Sequence, residues 1–331
     1  MSNLLPRLKK RYKITVEAWK KDCTYSRKYA CYRVIDEFGG RLGFQTISNI
    51  AYKKREKFIL DYLETELQPV IAKYRNNDTL GQKTEKAPIW ICWWLGIDIA
   101  PALVKQCVKS IIKSAGEHPV HLITKNSYEK YLSIPEYMLQ KVQKKQMGFA
   151  HLADYIRVSL LEQYGGLWMD ATLFCTDTIP EEYFDIPFFT LKSAWRESRY
   201  LSHFQWVTFC LGGWKGSVWY SFMREAFEAY WSKEEYAIDY LFFDALIFLA
   251  RKNIPAIARL IESVPENTPH RDDLQAAMNQ ALPASEFWNV IQENTTIYKL
   301  SWREEYPTKT VKGQQSAYQY FLDLDLGDGL W

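Results

Sequence analysis

Within Ala150 to Thr172 the residue types and their spacing can do chemistry. Asp154 and Arg157 stand three apart, so on a helix they meet on one face. Residues 150–164 predict that helix, with Ala150, Ala153, Ile156, Leu160, Leu161 and Tyr164 along its packed side. Gly165 and Gly166 end it, because a left-handed C-terminal cap favours glycine. Residues 167–175 then predict one strand, whose two-residue period puts Trp168 and Asp170 on the same face. Asp170 should emerge where that strand leaves the sheet, and open α/β sheets bind ligands in the crevice beyond the carboxyl ends of their strands. Taken alone, the Asp154–Arg157 pair also fits an ordinary helix-surface ion pair worth about 0.3–0.5 kcal/mol. The complete spaced set is what favours a ligand site.

Other residues carry weaker signals. His151 offers a base, although a satisfied structural histidine explains it as well. Asp239 and Asp244 interrupt an apolar stretch and suggest either a cleft wall or a partly exposed helix face. Asp323, Asp325 and Asp328 alternate with leucine and glycine, which fits an edge strand with its carboxylates in water. The run Gly212, Gly213, Lys215, Gly216 lacks the spacing of a phosphate loop and reads as a turn, a candidate for lining the acceptor cleft.

The elements that must position these groups follow from hydrophobic periodicity. Residues 46–75 repeat apolar positions at three- and four-residue spacing and predict a helix, after which Asn76, Asn77, Asp78 and Gly81 break the pattern. A boundary near residue 85 separates a helical N-terminal region, 1–84, from an α/β domain, 85–331. The run from Pro88 to Trp94 predicts a buried strand, followed by a helix at 102–114, a strand at 120–123 and a helix at 135–145. Such alternation implies an open α/β sheet with βα connections.

The chain has 331 residues and a net charge of only +3, which argues against a dedicated nucleic-acid binder. That figure hides an asymmetry. Residues 1–60 hold fifteen Lys/Arg against five Asp/Glu, a net +10, and the remainder is −7. A basic front interleaved with Leu, Tyr, Trp and Phe attracts a polyanion, with nucleic acid and an anionic membrane as the two candidates, whereas a solvated helix face is the plain alternative. The six cysteines are scattered without a CxxC pair, as expected of reduced thiols in a cytosolic protein with no zinc site. The N-terminus lacks the apolar core of a secretory signal. The most apolar segment, Tyr240 to Ala250, falls well short of the roughly 20 residues a membrane span needs.

The order Ala153-Asp154-x-x-Arg157, then Gly165-Gly166-x-Trp168-x-Asp170-x-Thr172, resembles the sugar-binding region with the DXD motif of glycosyltransferase family 32 and its capsular polysaccharide synthesis branch. Large clostridial glucosylating toxins are similar. The resemblance covers residues 87 to about 180 and implies a GT-A fold, that is, a Rossmann-like nucleotide-sugar-binding open sheet, here with an additional N-terminal helical region. It implies that Asp154 and Arg157 bind donor-sugar hydroxyls, that Asp170 serves the nucleotide ribose and the sugar–metal environment, and that Trp94 offers its face to uracil, with Trp168 beside the donor. Indole stacking and charge-assisted hydrogen bonds suit those roles. It also implies a divalent metal, Mn²⁺ or Mg²⁺, on Asp170 and Thr172. Thr172 takes the place of the usual second carboxylate, and a hydroxyl is the weaker ligand. With a weak metal, basic groups must meet the UDP phosphates, and Lys299, Arg303, Lys309 and Lys312 are candidates, with Ser301 and Trp302 closing over the donor.

The resulting expectation is a retaining glycosyltransferase that moves a hexose from a UDP-sugar to a saccharide or polyprenyl-linked saccharide acceptor in surface polysaccharide biosynthesis. No nucleophile is identified, so front-face displacement and a covalent intermediate are both open. Residues 1–60 would dock on an anionic membrane surface at its cytoplasmic side, and no nucleic acid is expected. The alternative is a non-catalytic sugar-nucleotide or saccharide-binding subunit with a degenerate metal site.

Overall fold

The computed structural model describes residues 4–281 and 295–327. Four helices come first: α1 (Leu4–Tyr25), α2 (Arg27–Arg41), α3 (Gln45–Glu66) and α4 (Gln68–Tyr74). Ser26 separates α1 from α2 and caps α2, its hydroxyl accepting from the Lys28 N–H at 3.2 Å. Gly43, with φ +84°, lets the chain reverse between α2 and α3. The single helix expected over 46–75 is broken at Leu67, where α3 ends and Pro69 opens α4 in a first-turn position that suits proline.

The α/β body contains β1 (Ile89–Cys92), α5 (Ala102–Ser114), β2 (Val120–Ile123), α6 (Glu136–Gln143), α7 (Phe149–Tyr164) and β3 (Gly166–Met169). After these come β4 (Leu173–Cys175), β5 (Phe188–Thr190), β6 (Cys210–Gly213), α8 (Val218–Lys233), α9 (Phe242–Asn253), α10 (Pro255–Ser263), α11 (Asp273–Ala277), β7 (Ile297–Lys299) and α12 (Ala317–Leu322). The main sheet has the order β2-β1-β3-β6-β5. Strands β2, β1 and β3 run parallel, and β6 is antiparallel to both β3 and β5. The sheet is therefore open and mostly parallel with one reversed strand.

Two apolar layers cover the sheet. On one side Leu103, Val104, Cys107, Val108 and Ile111 of α5 pack with Ile89, Ile91, Leu167 and Met169. On the other, Trp90 and Trp168 pack with α7, α8 and α9. The N-terminal helices join this second layer: Tyr29, Ile59, Leu63, Val70 and Ile71 belong to the same cluster as Phe227, Tyr230 and Phe242, so the core runs across residue 85 without a break.

Three expectations from sequence fail locally. The strand expected over 167–175 is two strands in different sheets, because the chain turns at Asp170 and Ala171 and β4 pairs with β7 instead. The segment after Leu322 is not an edge strand: Asp323 caps α12 and accepts from Gln315 and Gln319, and Asp328 lies outside the described residues. Gly212 and Gly213 form the end of β6 rather than a turn, paired with Leu167 and Gly166 at the end of β3 away from Asp170.

Candidate functional site

The carboxyl ends of β1 and β3 open into a cleft of about 420 Å³ lined by Cys92, Trp93, Asp154, Arg157, Asp170, Thr172, Asp244, Lys299 and Ser301 among others. Local chain geometry explains how the charged groups arrive there. Gly165 has φ +70° where α7 ends. A Cβ on Gly166 would sit 2.0 Å from the Pro88 carbonyl oxygen, so only glycine lets β3 start against the segment leading into β1. Beyond β3, the Asp170 N–H donates to the Phe209 carbonyl at 2.9 Å and the chain turns away, leaving the carboxylate at the rim.

Asp170 is the centre of an alternating chain of charges. Arg157 donates from Nη1 to Asp154 Oδ1 at 2.8 Å and from Nη2 to Asp170 Oδ1 at 3.1 Å. Trp168 Nε1 donates to the same Asp170 oxygen at 2.9 Å, and the Arg157 guanidinium lies 4.8 Å from the Trp168 ring centre. Lys299 Nζ donates to Asp170 Oδ2 at 3.4 Å and to Thr172 Oγ1 at 2.6 Å. The β4–β7 pair puts Lys299 there: Leu173 is in register with Lys299, and the Leu300 N–H donates to the Thr172 carbonyl at 3.0 Å. Burial alone would raise the Asp170 carboxyl, but Lys299 and Arg157 together hold it below the ordinary carboxylate range. Burial raises Asp154 despite Arg157. Asp244 accepts from Trp206 Nε1 at 3.0 Å, and burial pushes its carboxyl up to about 6.

These residues do not fit the divalent cation expected on Asp170 and Thr172. Asp170 Oδ1 is engaged by Arg157 and Trp168, and its Oδ2 shares the Lys299 ammonium with the Thr172 hydroxyl. Mn²⁺ or Mg²⁺ wants several oxygen ligands with unspent negative charge. Among the described residues no three His, Cys, Asp or Glu side chains come together to hold a metal. The place between the two expected ligands is already cationic.

The other expected residues divide. Trp168 is 1% exposed, so it cannot stack a base and instead orients Asp170. Trp94 lies in an adjoining apolar cleft of about 380 Å³, beside Tyr128 and Phe149. Trp93 lines both clefts and meets Trp302 edge to face at 5.8 Å, with Arg303 alongside. Lys309 and Lys312 are exposed on a turn and line neither cleft. His151 is buried against Trp231 and Tyr240. Ala150 and Ala153 of α7 line the cleft together with Asp154 and Arg157: Ala153 also packs on the core as expected, whereas Ala150 is exposed, and their small side chains leave the space open. Burial pushes the Cys92 thiol up to about 12, which leaves it inert as a nucleophile. Asp239 is absent from the cleft and pairs with Arg33 and Arg55 of the N-terminal helices.

Trp93 and the value of Asp244 escaped the sequence reading. Trp93 is adjacent to Trp94, and the turn that follows β1 decides which of the two lines the main cleft. Asp244 did interrupt an apolar helix, a signal pointing either way.

Residues 41–321 match the family model described as "Capsular polysaccharide synthesis protein". A solved structure titled "PaToxG Glycosyltransferase" aligns with 76% of this chain and 100% of its own, at 13% sequence identity and a TM-score of 0.30. No curated protein matches the chain.

Proposed function

The chain belongs to the capsular polysaccharide synthesis protein family, and from that premise we propose that it is a glycosyltransferase of the GT-A type, moving a hexose from a UDP-sugar to a saccharide acceptor with retention of anomeric configuration. The observation that carries the proposal is the Asp154–Arg157–Asp170–Lys299 array at the carboxyl ends of β1 and β3. Carboxylates held rigidly by cations in a cleft are suited to fixing several hydroxyls in one orientation. Asp154 and Asp170, aligned by Arg157, take the sugar and ribose hydroxyls. The indoles of Trp93 and Trp302, with Trp94 in the adjoining cleft, provide the stacking surface for uracil.

In the transfer, the bond from the anomeric carbon to the diphosphate oxygen breaks with its electron pair on the diphosphate, the acceptor hydroxyl oxygen forms the new bond, and its proton passes to the departing diphosphate. Negative charge therefore develops on the leaving group. Lys299 and Arg303 are the cations lining the cleft that can meet it, with Arg157 already spent on two carboxylates. Residues 1–60 bring the enzyme to an anionic membrane surface, where a polyprenyl-linked saccharide is presented. No helix among the described residues is long and apolar enough to cross a membrane.

The test is UDP release from a panel of UDP-sugars, with and without saccharide acceptor. Asp170→Asn should lower turnover about 10²–10³-fold while the melting temperature stays within a few degrees. Undiminished turnover in that variant would overturn the assignment. Tight UDP-sugar binding without release or transfer would favour the non-catalytic subunit.

A further inference from the structure

Six of the large apolar side chains exposed on the described residues fall within one hairpin. Leu42 is 68% exposed, Phe44 58%, Ile47 53%, Ile50 52%, and Ile35 and Phe38 41% each. They are ordered rather than scattered. On α2 and at its C-cap the exposed residues Lys28, Cys31, Ile35, Phe38 and Leu42 recur at alternating three- and four-residue steps, which is one helix face. On α3 the same holds for Ile47, Ile50 and Lys54. Lys54 Nζ reaches to 5.7 Å from the Tyr32 ring centre, so the two stripes lie on the same side of the hairpin.

The opposite face of the hairpin is fully packed. Tyr29, Ala30, Ala51, Ile59 and Leu63 are buried there, and Ser48 donates to the Asp36 carboxylate at 2.8 Å. The outer stripe is therefore surplus to folding. An apolar patch of this kind on a water-soluble surface marks an interaction site.

Charge identifies the occupant. The hairpin's bases Arg27, Lys28, Arg41, Lys53 and Lys54 are exposed around the stripe. Of the acids near the stripe, Asp36 is buried against Arg55 and Arg199, Glu37 and Glu56 are half-buried, and exposed Asp61 pairs with Lys57, while the neighbouring Asp22 is buried against Arg33. The buried carboxylates and arginines offset one another, so the exposed bases set the charge around the stripe. A second copy docked on this face would bring the two basic rims together. An anionic bilayer satisfies both features: interfacial helices bury apolar side chains at the headgroup–acyl boundary, and each basic residue near such a surface contributes about 1 kcal/mol.

We propose that the α2–α3 hairpin is a monotopic membrane anchor, with Ile35, Phe38, Leu42, Phe44, Ile47 and Ile50 seated in the interfacial layer of an anionic bilayer. This rests on the membrane-facing part of the proposed function and narrows it to one surface and one lipid class. On the hairpin's inner side Tyr52 and Arg55 line a cavity of about 300 Å³ that shares Leu241 with the cleft, so the hairpin stands between the docked bilayer and that cavity.

The experiment is co-sedimentation of the full chain with vesicles of phosphatidylcholine alone and with 30% phosphatidylglycerol, at low and high salt. It is run for the wild type and for the triple variant Leu42→Ser, Phe44→Ser, Ile47→Ser, with melting temperature, UDP release and solution mass measured in parallel. The wild type should bind the anionic vesicles at least tenfold more tightly than the neutral ones, and the triple variant should lose at least tenfold with its melting temperature and UDP release unchanged. Equal binding by wild type and variant, or no binding by the wild type, overturns the anchor. So does a wild-type dimer that the variant converts to monomer, which would assign the face to a second copy. Failure of the glycosyltransferase reading would appear instead as absent UDP release, independently of sedimentation.

Discussion

Two buried clusters of alternating Asp and Arg or Lys lie on either side of Leu241, and they do opposite work. In the helical cluster Arg33 pairs with Asp22 at 2.7 Å and with Asp239 at 3.6 Å, Arg55 bridges Asp239 and Asp36, and Arg199 also meets Asp36. Its three carboxylates are each at most 10% exposed, and three arginines consume them. Burial pushes Asp22 up to about 6 even beside Arg33. In the cleft cluster Asp170 is 31% exposed and Lys299 24%, and two cations hold Asp170 down in its ionised form. The first cluster ties α1, α2, α3 and the segment leading into α9 together, its carboxylates each spent on arginine even where Asp36, Arg55, Arg199 and Asp239 line the cavity of about 300 Å³. The second leaves charge and hydrogen-bonding capacity facing open space, which is what a ligand needs.

This contrast can be broken by exchanging which property is lost. Asp239→Ala leaves Arg33 and Arg55 facing one another without the shared carboxylate, and should cost about 3–5 kcal/mol of unfolding free energy. Urea denaturation measures that cost, while UDP release per folded molecule at low temperature should change less than about threefold.

Lys299→Ala should do the reverse, with kcat/KM for the UDP-sugar falling about 10²–10³-fold at a nearly constant melting temperature. The wild type's turnover should meanwhile change less than twofold on adding EDTA or Mn²⁺, since Lys299 already holds the cation's place. If Lys299→Ala unfolds the protein as Asp239→Ala does, the two clusters are both locks and the distinction fails.

The smallest effect sharpens the cleft side. Asp244 has a folded pKa of about 6, above its ordinary value of 3.8, so the native state binds its proton more tightly than the unfolded chain does. Its contribution to stability is therefore most favourable below pH 4 and is lost as pH rises through 6. Asp244→Asn should raise unfolding free energy by about 1–2 kcal/mol at pH 8, with the gain shrinking between pH 6 and pH 4. A gain independent of pH would show that the carboxylate is not buried as described.

Legibility in the sequence tracked chain distance. Asp154, Arg157, Gly165, Gly166 and Asp170 lie within seventeen residues of one another, and helix and strand periods alone bring them together. Lys299, one of four basic candidates for the phosphates, is 129 residues from Asp170, and nothing in its surroundings announces that β4 pairs with β7 in the register that sets its ammonium against that carboxylate. The partners of Asp239 are as remote: Arg55 precedes it by 184 residues. Ala150 is exposed at the cleft instead of packed for a different reason. An apolar residue small enough to leave a cleft open has the same periodicity as one that fills a core.

The sequence by itself determined the helices at 102–114, 135–145 and 150–164, the parallel strands, the glycine-ended α7, the position of Asp170 at a strand's end and the cationic character of the N-terminal region. Those features follow from local periods and composition, which short stretches of chain encode. Tertiary structure alone decided that a lysine takes the place beside Asp170, that Trp168 supports rather than stacks, that Asp36 turns inward while the hairpin's lysines stay out, and that Asp239 and Asp244 serve different clusters. Each of those outcomes depends on pairing register and on which face of an element meets its neighbour, and both are settled only when distant segments pack together.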